Sequence, residues 1–212
     1  MGSGITLGSD VCPLPKVSYK IGTAPVFYKS IIPKNGRCPY LRGIRMITAD
    51  TVKSLLNLEP HPEEGGYFRE TYRSHHTLSK DKLPEGYEEE RALATAIYYL
   101  LTPDTFSALH RLPTEEIFHF YLGDPVEMLL LLPDGSGRTI TLGPDIMSSM
   151  QLQVVVKKGV WQGSQLCAGG QFALLGTTMS PGFEPYDYES GQRERLIADY
   201  PQFENLIRVL TR

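Results

Sequence analysis

The chain predicts an all-β fold, a sandwich or closed barrel of antiparallel strands with short α-helices at the two ends of the domain. Three observations point there. Strand-forming runs recur at short intervals with turn residues between them. The 212 residues include 20 Gly and 16 Pro, a composition that suits strands and turns better than a helical bundle. The stretch "EMLLLLPDGSG" is too short to span a bilayer and stops at a Pro-Asp-Gly turn, so it reads as a buried strand.

Residues 1–45 show neither helical nor strand periodicity and are broken by five prolines, so they read as an N-terminal extension. They carry seven Lys/Arg against the single acid Asp10, a balance of +6. Their basic character loosely resembles a transit peptide, and "MGSGIT" fits a myristoylation pattern; a plain extension is the preferred reading. The domain then occupies residues 46–212. In "MITADTVKSLLNLEPHP", Thr48 is the expected N-cap, Val52, Leu55 and Leu56 share a face, and Pro60 is the expected stop.

After the Gly65-Gly66 turn, a strand is expected from Tyr67 to Arg73, separating Tyr67, Arg69 and Thr71 from Phe68, Glu70 and Tyr72. Residues 75–91 are polar, with Pro84 and Gly86, and read as a loop in which His75 and His76 are solvated. Seven further runs read as strands: "LATAIYYLL", "SALHRL", "EIFHFYLG", "VEMLLLL", "RTITLG", "LQVVVKKG" and "FALLGTTM". The tail "ERLIADYPQFENLIRVLTR" suggests two short helices around Pro201.

Residues 46–212 carry 14 basic and 23 acidic side chains, −9, which with the extension gives −3 overall. A body this acidic repels phosphates, which argues against nucleic acid as a partner. No apolar run is long enough for a membrane span. Cys12, Cys38 and Cys167 are scattered and odd in number, which argues against a disulfide framework or structural zinc and suits a cytoplasmic location.

The chemistry concentrates in "FSALHRLPTEEIFHFYLGD", Phe106 to Asp124. His110, Glu116 and Gly123 follow the spacing of the first cupin sequence patch, with Leu112 at its second histidine position. "KKGVWQ" fits the second patch, with Gly159 retained, Lys157 in place of proline and Gln162 in place of histidine. Together with "EPHPEEGGYFRETYRS" and "SPGFEPYDYE", these segments resemble the cupin superfamily over most of residues 46–212. The closest likeness is to the branch catalogued as a domain of unknown function. The resemblance implies a double-stranded β-helix, the RmlC-like jelly-roll barrel, and a homodimer paired barrel to barrel.

It also implies a metal site of three histidines and a carboxylate, two of whose positions are Leu112 and Gln162 here. Leucine cannot ligate and an amide oxygen is a poor substitute for imidazole. The expectation is therefore no cofactor, with weak divalent binding at most through His110 and Glu116.

If Glu116 points inward, Phe118 and Phe120 do too, and His119 and Tyr121 face away. A one-residue register shift would exchange Glu116 for Glu115. His110 and Glu116 are the candidate catalytic pair, a base and its orienting carboxylate, though a satisfied buried pair accounts for them equally. The candidate ligand-binding residues are Tyr67 (or Phe68), Arg69, Arg111, Phe118, Phe120 and Gln162, with Arg69 or Arg111 clamping an anionic group. Trp161 reads as core or interface, the acids of "EPYDYE" as a solvated rim, and His61 as part of a loop over the barrel mouth. The expected function is a metal-independent isomerase or epimerase of a sugar or sugar phosphate. The alternatives are a non-catalytic binding or storage module and a metal-dependent cupin dioxygenase or isomerase.

Overall fold

A computed structural model describes residues 47–84 and 86–212; the extension, its targeting patterns, Cys12 and Cys38 lie outside the described residues. Thr48 caps the first helix, its hydroxyl accepting the Thr51 N–H at 3.2 Å. This helix, α1, runs Ala49–Leu56 and buries Val52. Leu55 is turned to solvent, a correction to the shared face, because it lies 100° around the helix from Leu56 and outside the packed stripe of Ala49, Val52 and Leu56. Asn57 ends the helix by taking the left-handed conformation (φ 50°), so the stop comes before Pro60. Pro60 instead lies in β1, Glu59–Pro60, an edge strand that tolerates its missing N–H.

Strand β2 (Tyr67–Arg73) forms as expected. A register shift between Glu70 and Tyr72 breaks its alternation, so Arg73 joins Phe68 and Glu70 on the inner side. The segment read as a loop holds a small hairpin of β3 (Thr77–Leu78) and β4 (Arg91–Ala92). The main strands are β5 (Thr95–Leu101), β6 (Phe106–Arg111), β7 (Glu116–Gly123), β8 (Val126–Leu131), β9 (Gly137–Leu142), β10 (Gln153–Val156), β11 (Trp161–Leu166), β12 (Ala173–Met179) and β13 (Glu189–Ser190). They form a six-stranded sheet, β1-β2-β5-β12-β7-β10, and a five-stranded sheet, β13-β6-β11-β8-β9, both antiparallel. From β5 to β8, and again from β9 to β13, successive strands alternate between the two sheets, as in a jelly roll.

Besides the two-residue strands β1, β3, β4 and β13, the sequence pattern missed one long strand, β11. "WQGSQL" lacks apolar alternation, yet it is central in the five-stranded sheet and buries Trp161, Gln162, Gly163 and Ser164. Gly163 is needed there: a Cβ would sit about 3.0 Å from the Leu109 side chain.

Tyr99, Leu101, Phe118, Met128, Leu130 and Leu175 pack between the sheets. Leu109, Leu129, Leu131 and Trp161 pack on the outer side of the five-stranded sheet against α2 (Arg193–Asp199) and α3 (Glu204–Val209), which flank Pro201. Strand β8 is therefore buried on both faces, which is why it reads as unbroken apolar sequence. Each such leucine contributes about 1.5–3 kcal/mol. No helix among the described residues is long and apolar enough to cross a membrane.

Candidate functional site

The inter-sheet space is filled with apolar side chains toward Leu101 and Val126 and is hollow at the opposite end, where β5 begins and β12 finishes. The cavity there is about 240 Å³. His110 and Leu112 enter it from β6 and its continuation, Glu116 from the first position of β7, and Thr177 from β12. The register is the expected one: Glu116 is 7% exposed, whereas Glu115 is on the surface bound to Lys157 at 2.9 Å.

His110 and Glu116 are joined through Gln162. Its Nε2 donates to Glu116 Oε2 at 2.6 Å and to His110 Nε2 at 3.2 Å. The other ring nitrogen, Nδ1, donates to the Ala108 carbonyl at 2.8 Å, which fixes His110 as the neutral tautomer with its Nε2 lone pair taken. Burial pushes His110 below the usual histidine range, against the pull of Glu116. Burial, and next the charge of Glu64, push Glu116 above the usual carboxylate range.

Glu64 and His61 come from the segment between Pro60 and the Gly65-Gly66 turn. Both glycines have positive φ (97° and 68°), and a Cβ on Gly65 would collide with the Phe106 carbonyl, so the turn that sets Glu64 inward requires glycine. Glu64 accepts from the Ser107 hydroxyl, and burial raises its carboxyl. His61 Nδ1 accepts the Glu64 N–H at 2.9 Å, so Nε2 carries the proton and faces the Glu64 carboxylate at 4.0 Å. Burial lowers His61 as well.

Tyr188 closes the opposite wall. Its ring stacks on His110 with centroids 4.8 Å apart and planes 22° from parallel. Its hydroxyl is buried without a hydrogen-bond partner, and burial, reinforced by Glu64, raises its pKa so that it stays protonated.

The expected ligand-binding residues are only partly here. Phe118 and Phe120 point inward but pack in the apolar core beyond the cavity. Tyr67 packs on the outer face beneath α1, with Lys53 4.5 Å above its ring; Phe68, the alternative, lines the cavity. Arg69 lies toward Tyr98 on that same outer face, as strand alternation requires. Arg111 is outside the cavity, bonded to Glu189 at 2.6 and 2.8 Å and 4.6 Å above the Trp161 ring. Neither arginine can clamp an anion in the cavity. Arg73 does reach it, but Glu70, Glu184 and the Phe183 carbonyl hold its guanidinium. His119 bonds Gln153 and Thr178, away from the cavity, and Tyr121 is half exposed beside it, as expected.

The "EPYDYE" rim is corrected too. Asp187 is buried and paired with Arg91 at 2.7 Å, while Tyr188 turns the other way into the cavity. Alternation of successive side chains was the available signal for this split.

The residues present do not fit the metal of cupin barrels. The Gln162 amide nitrogen sits between the two would-be ligands and has no lone pair to offer, and Leu112 is a buried hydrocarbon at the remaining position. Among the described residues, no group of three His, Cys, Asp or Glu could hold an ion.

Residues 50–191 match the sequence model of the Cupin superfamily (DUF985). A hypothetical protein from Leishmania major superposes with a TM-score of 0.71 and 32% identity, covering 78% of this chain and 99% of that one. A protein from Shewanella oneidensis gives a TM-score of 0.69 and 34% identity, covering 79% and 99%. The uncharacterized protein YML079W of Saccharomyces cerevisiae is 32% identical over 133 residues, 59% of this chain and 66% of that one, so the match spans just under two thirds of the yeast protein. The chain belongs to the Cupin superfamily, in the branch described as DUF985.

Proposed function

We propose that this cupin binds a single-ring, unphosphorylated carbohydrate-like molecule and moves a proton on it without a metal, as an isomerase or epimerase does. The observation that carries this reading is Tyr188, a residue with a buried, unpartnered hydroxyl that lines the same cavity as Glu64 and Glu116. A proton-transfer site needs groups whose environments set different proton affinities within one enclosure. Here burial raises two carboxyls toward neutrality and keeps the phenol protonated.

Glu116, more basic than an exposed carboxylate, removes the proton next to a carbonyl, and the electron pair moves onto the carbonyl oxygen. Glu64 lies close enough for its charge to raise the proton affinity of Glu116. Tyr188 returns a proton from the opposite wall. His110 stacks on Tyr188 and, through Gln162, orients Glu116. Phosphate is not part of the expected ligand, because the cavity's one arginine is already held by two carboxylates.

The test is proton exchange. A panel of free aldoses and ketoses is incubated with the protein in deuterium oxide, and NMR reads label entering the carbon beside the carbonyl. Tyr188→Phe and Glu116→Gln should each slow incorporation by roughly 10²–10⁴-fold. Exchange unchanged in both variants, or confined to sugar phosphates, would overturn the assignment. The second reading is a binding module without turnover, favoured by the capped Nε2 of His110; sugar binding with no exchange selects it.

A further inference from the structure

Buried carboxyls in a folded protein are normally met by a cation or a dense set of donors. Glu64 and Glu116 have neither a lysine nor an arginine bonded to them among the described residues; their neighbours are the neutral Ser107, Tyr99, Thr177 and Gln162 and two histidines that burial keeps neutral. Glu63 and Glu70 stand on the same cavity wall, and Arg73 is spent on Glu70 and Glu184. Aromatic faces complete the enclosure, with Phe68 against His61 at 4.6 Å and Tyr188 against His110 at 4.8 Å. Carboxylates with ring faces are the pairing that holds an organic cation, through charge-assisted hydrogen bonds and cation–π attraction. The Tyr188 hydroxyl has lone pairs free to accept from an N–H.

We propose that the occupant of this cavity carries a protonated amine on a ring-sized body, an aminated sugar or a molecule of that kind, with the ammonium seated between Glu64 and Glu116. This rests on the reading above that the cavity is a ligand site, and it narrows the class of ligand. At about 240 Å³ the space is below the roughly 300–1,000 Å³ of drug-sized pockets, which limits the occupant to a single ring.

The proposal is tested by calorimetric titration of the full chain with three probes of one shape: cyclohexylammonium, cyclohexanol and cyclohexanecarboxylate. The ammonium is expected to bind about 10–100-fold more tightly than the alcohol, as hydrogen bonds to charged partners require, and the carboxylate more weakly than either. Seating a cation drives protons off the two carboxyls, so the measured heat should change with the ionisation heat of the buffer. Glu64→Gln combined with Glu116→Gln should abolish the preference for the ammonium while leaving cyclohexanol binding intact, which also shows that the variant is folded. Equal binding of ammonium and alcohol, tighter binding of the carboxylate, or no uptake of the ammonium overturns the proposal. Failure of the proton-transfer reading has a different signature: amine binding persists while no sugar exchanges its hydrogen.

Discussion

Two buried charged constellations are touched by adjacent residues, Asp187 in one and Tyr188 beside the other, and they behave oppositely. Asp187 reaches Arg91 at 2.7 Å with both side chains almost fully excluded from water, at 3% and 2% exposure. The rings of Tyr87 and Tyr186 flank the guanidinium at 5.3 and 4.5 Å, and Tyr87 is itself bonded to Thr114 at 2.6 Å. That region is an ion pair wrapped in protein. Its neighbour Tyr188 lines the cavity with the other constellation, Glu64 and Glu116, to which no lysine or arginine among the described residues is bonded. The first arrangement fixes the 184–188 segment to β4; the second leaves two carboxyls without a cationic partner, pushed toward neutrality by burial, where a small molecule can enter. Pairing, more than burial, separates the structural charge from the chemical one.

Breaking the pair should have the largest effect. Asp187→Ala leaves Arg91 buried without a counter-charge, and the expected loss of stability is about 3–5 kcal/mol in urea unfolding. Glu64→Gln and Glu116→Gln, each removing a group that folding prefers uncharged, should lose little or gain at neutral pH. Losses of similar size in all three variants would erase the distinction between the regions.

The next effect tests Gln162. Its amide nitrogen holds His110 and Glu116 at 3.2 and 2.6 Å, between groups that are ligands in metal-binding barrels. Gln162→His puts a third donor beside the first two without disturbing the Arg91–Asp187 region. The variant, unlike the parent, is expected to take up Zn²⁺ and to gain about 2.7 kcal/mol of stability at a metal concentration near 100 times its Kd. A variant whose melting does not respond to zinc would show that Leu112 and the geometry, and not the one amide, prevent ligation.

The fold was largely legible in the sequence because strand alternation and turn residues are local signals. The helix capped by Thr48, the strand Tyr67–Arg73 and the doubly buried "VEMLLL" all formed as their patterns implied. The site was legible only where regular strands carried it. His110, Glu116 and Gln162 meet because β6 and β11 pair His110 opposite Gln162, which the cupin spacing already suggested. Glu64 and Tyr188 arrive from loops whose direction depends on left-handed Gly65 and Gly66 and on the Arg91–Asp187 anchor, neither of which periodicity records. Unbroken alternation would put Arg69 and Arg73 on one face; the bulge between Glu70 and Tyr72, which the sequence does not mark, turns Arg73 to the cavity while Arg69 stays outside.

The smallest effect is the pH dependence of stability, to which the cavity's carboxyls and its histidines contribute with opposite sign. Burial raises the folded-state pKa of Glu64 and Glu116 above the ordinary 4.5, so the folded state binds these protons more tightly than the unfolded chain. Their contribution is fully present below that ordinary value and is lost as pH rises through the raised, folded-state value. Burial lowers His61 and His110 from 6.5, so theirs is present above 6.5 and fades as pH falls through the lowered values. The wild-type curve mixes these trends, but a difference curve isolates each group. Glu116→Gln minus wild type should grow in favour of the variant as pH rises above the ordinary 4.5 and level off above the raised, folded-state value. Glu64→Gln should behave alike, and the double substitution should gain less than the sum, because the repulsion between the two carboxylates is removed only once. Urea midpoints at several pH values for the four proteins give the comparison. A difference that stays flat with pH would mean that both carboxyls are ionised in the folded protein, and the cavity would then need a cation already in place.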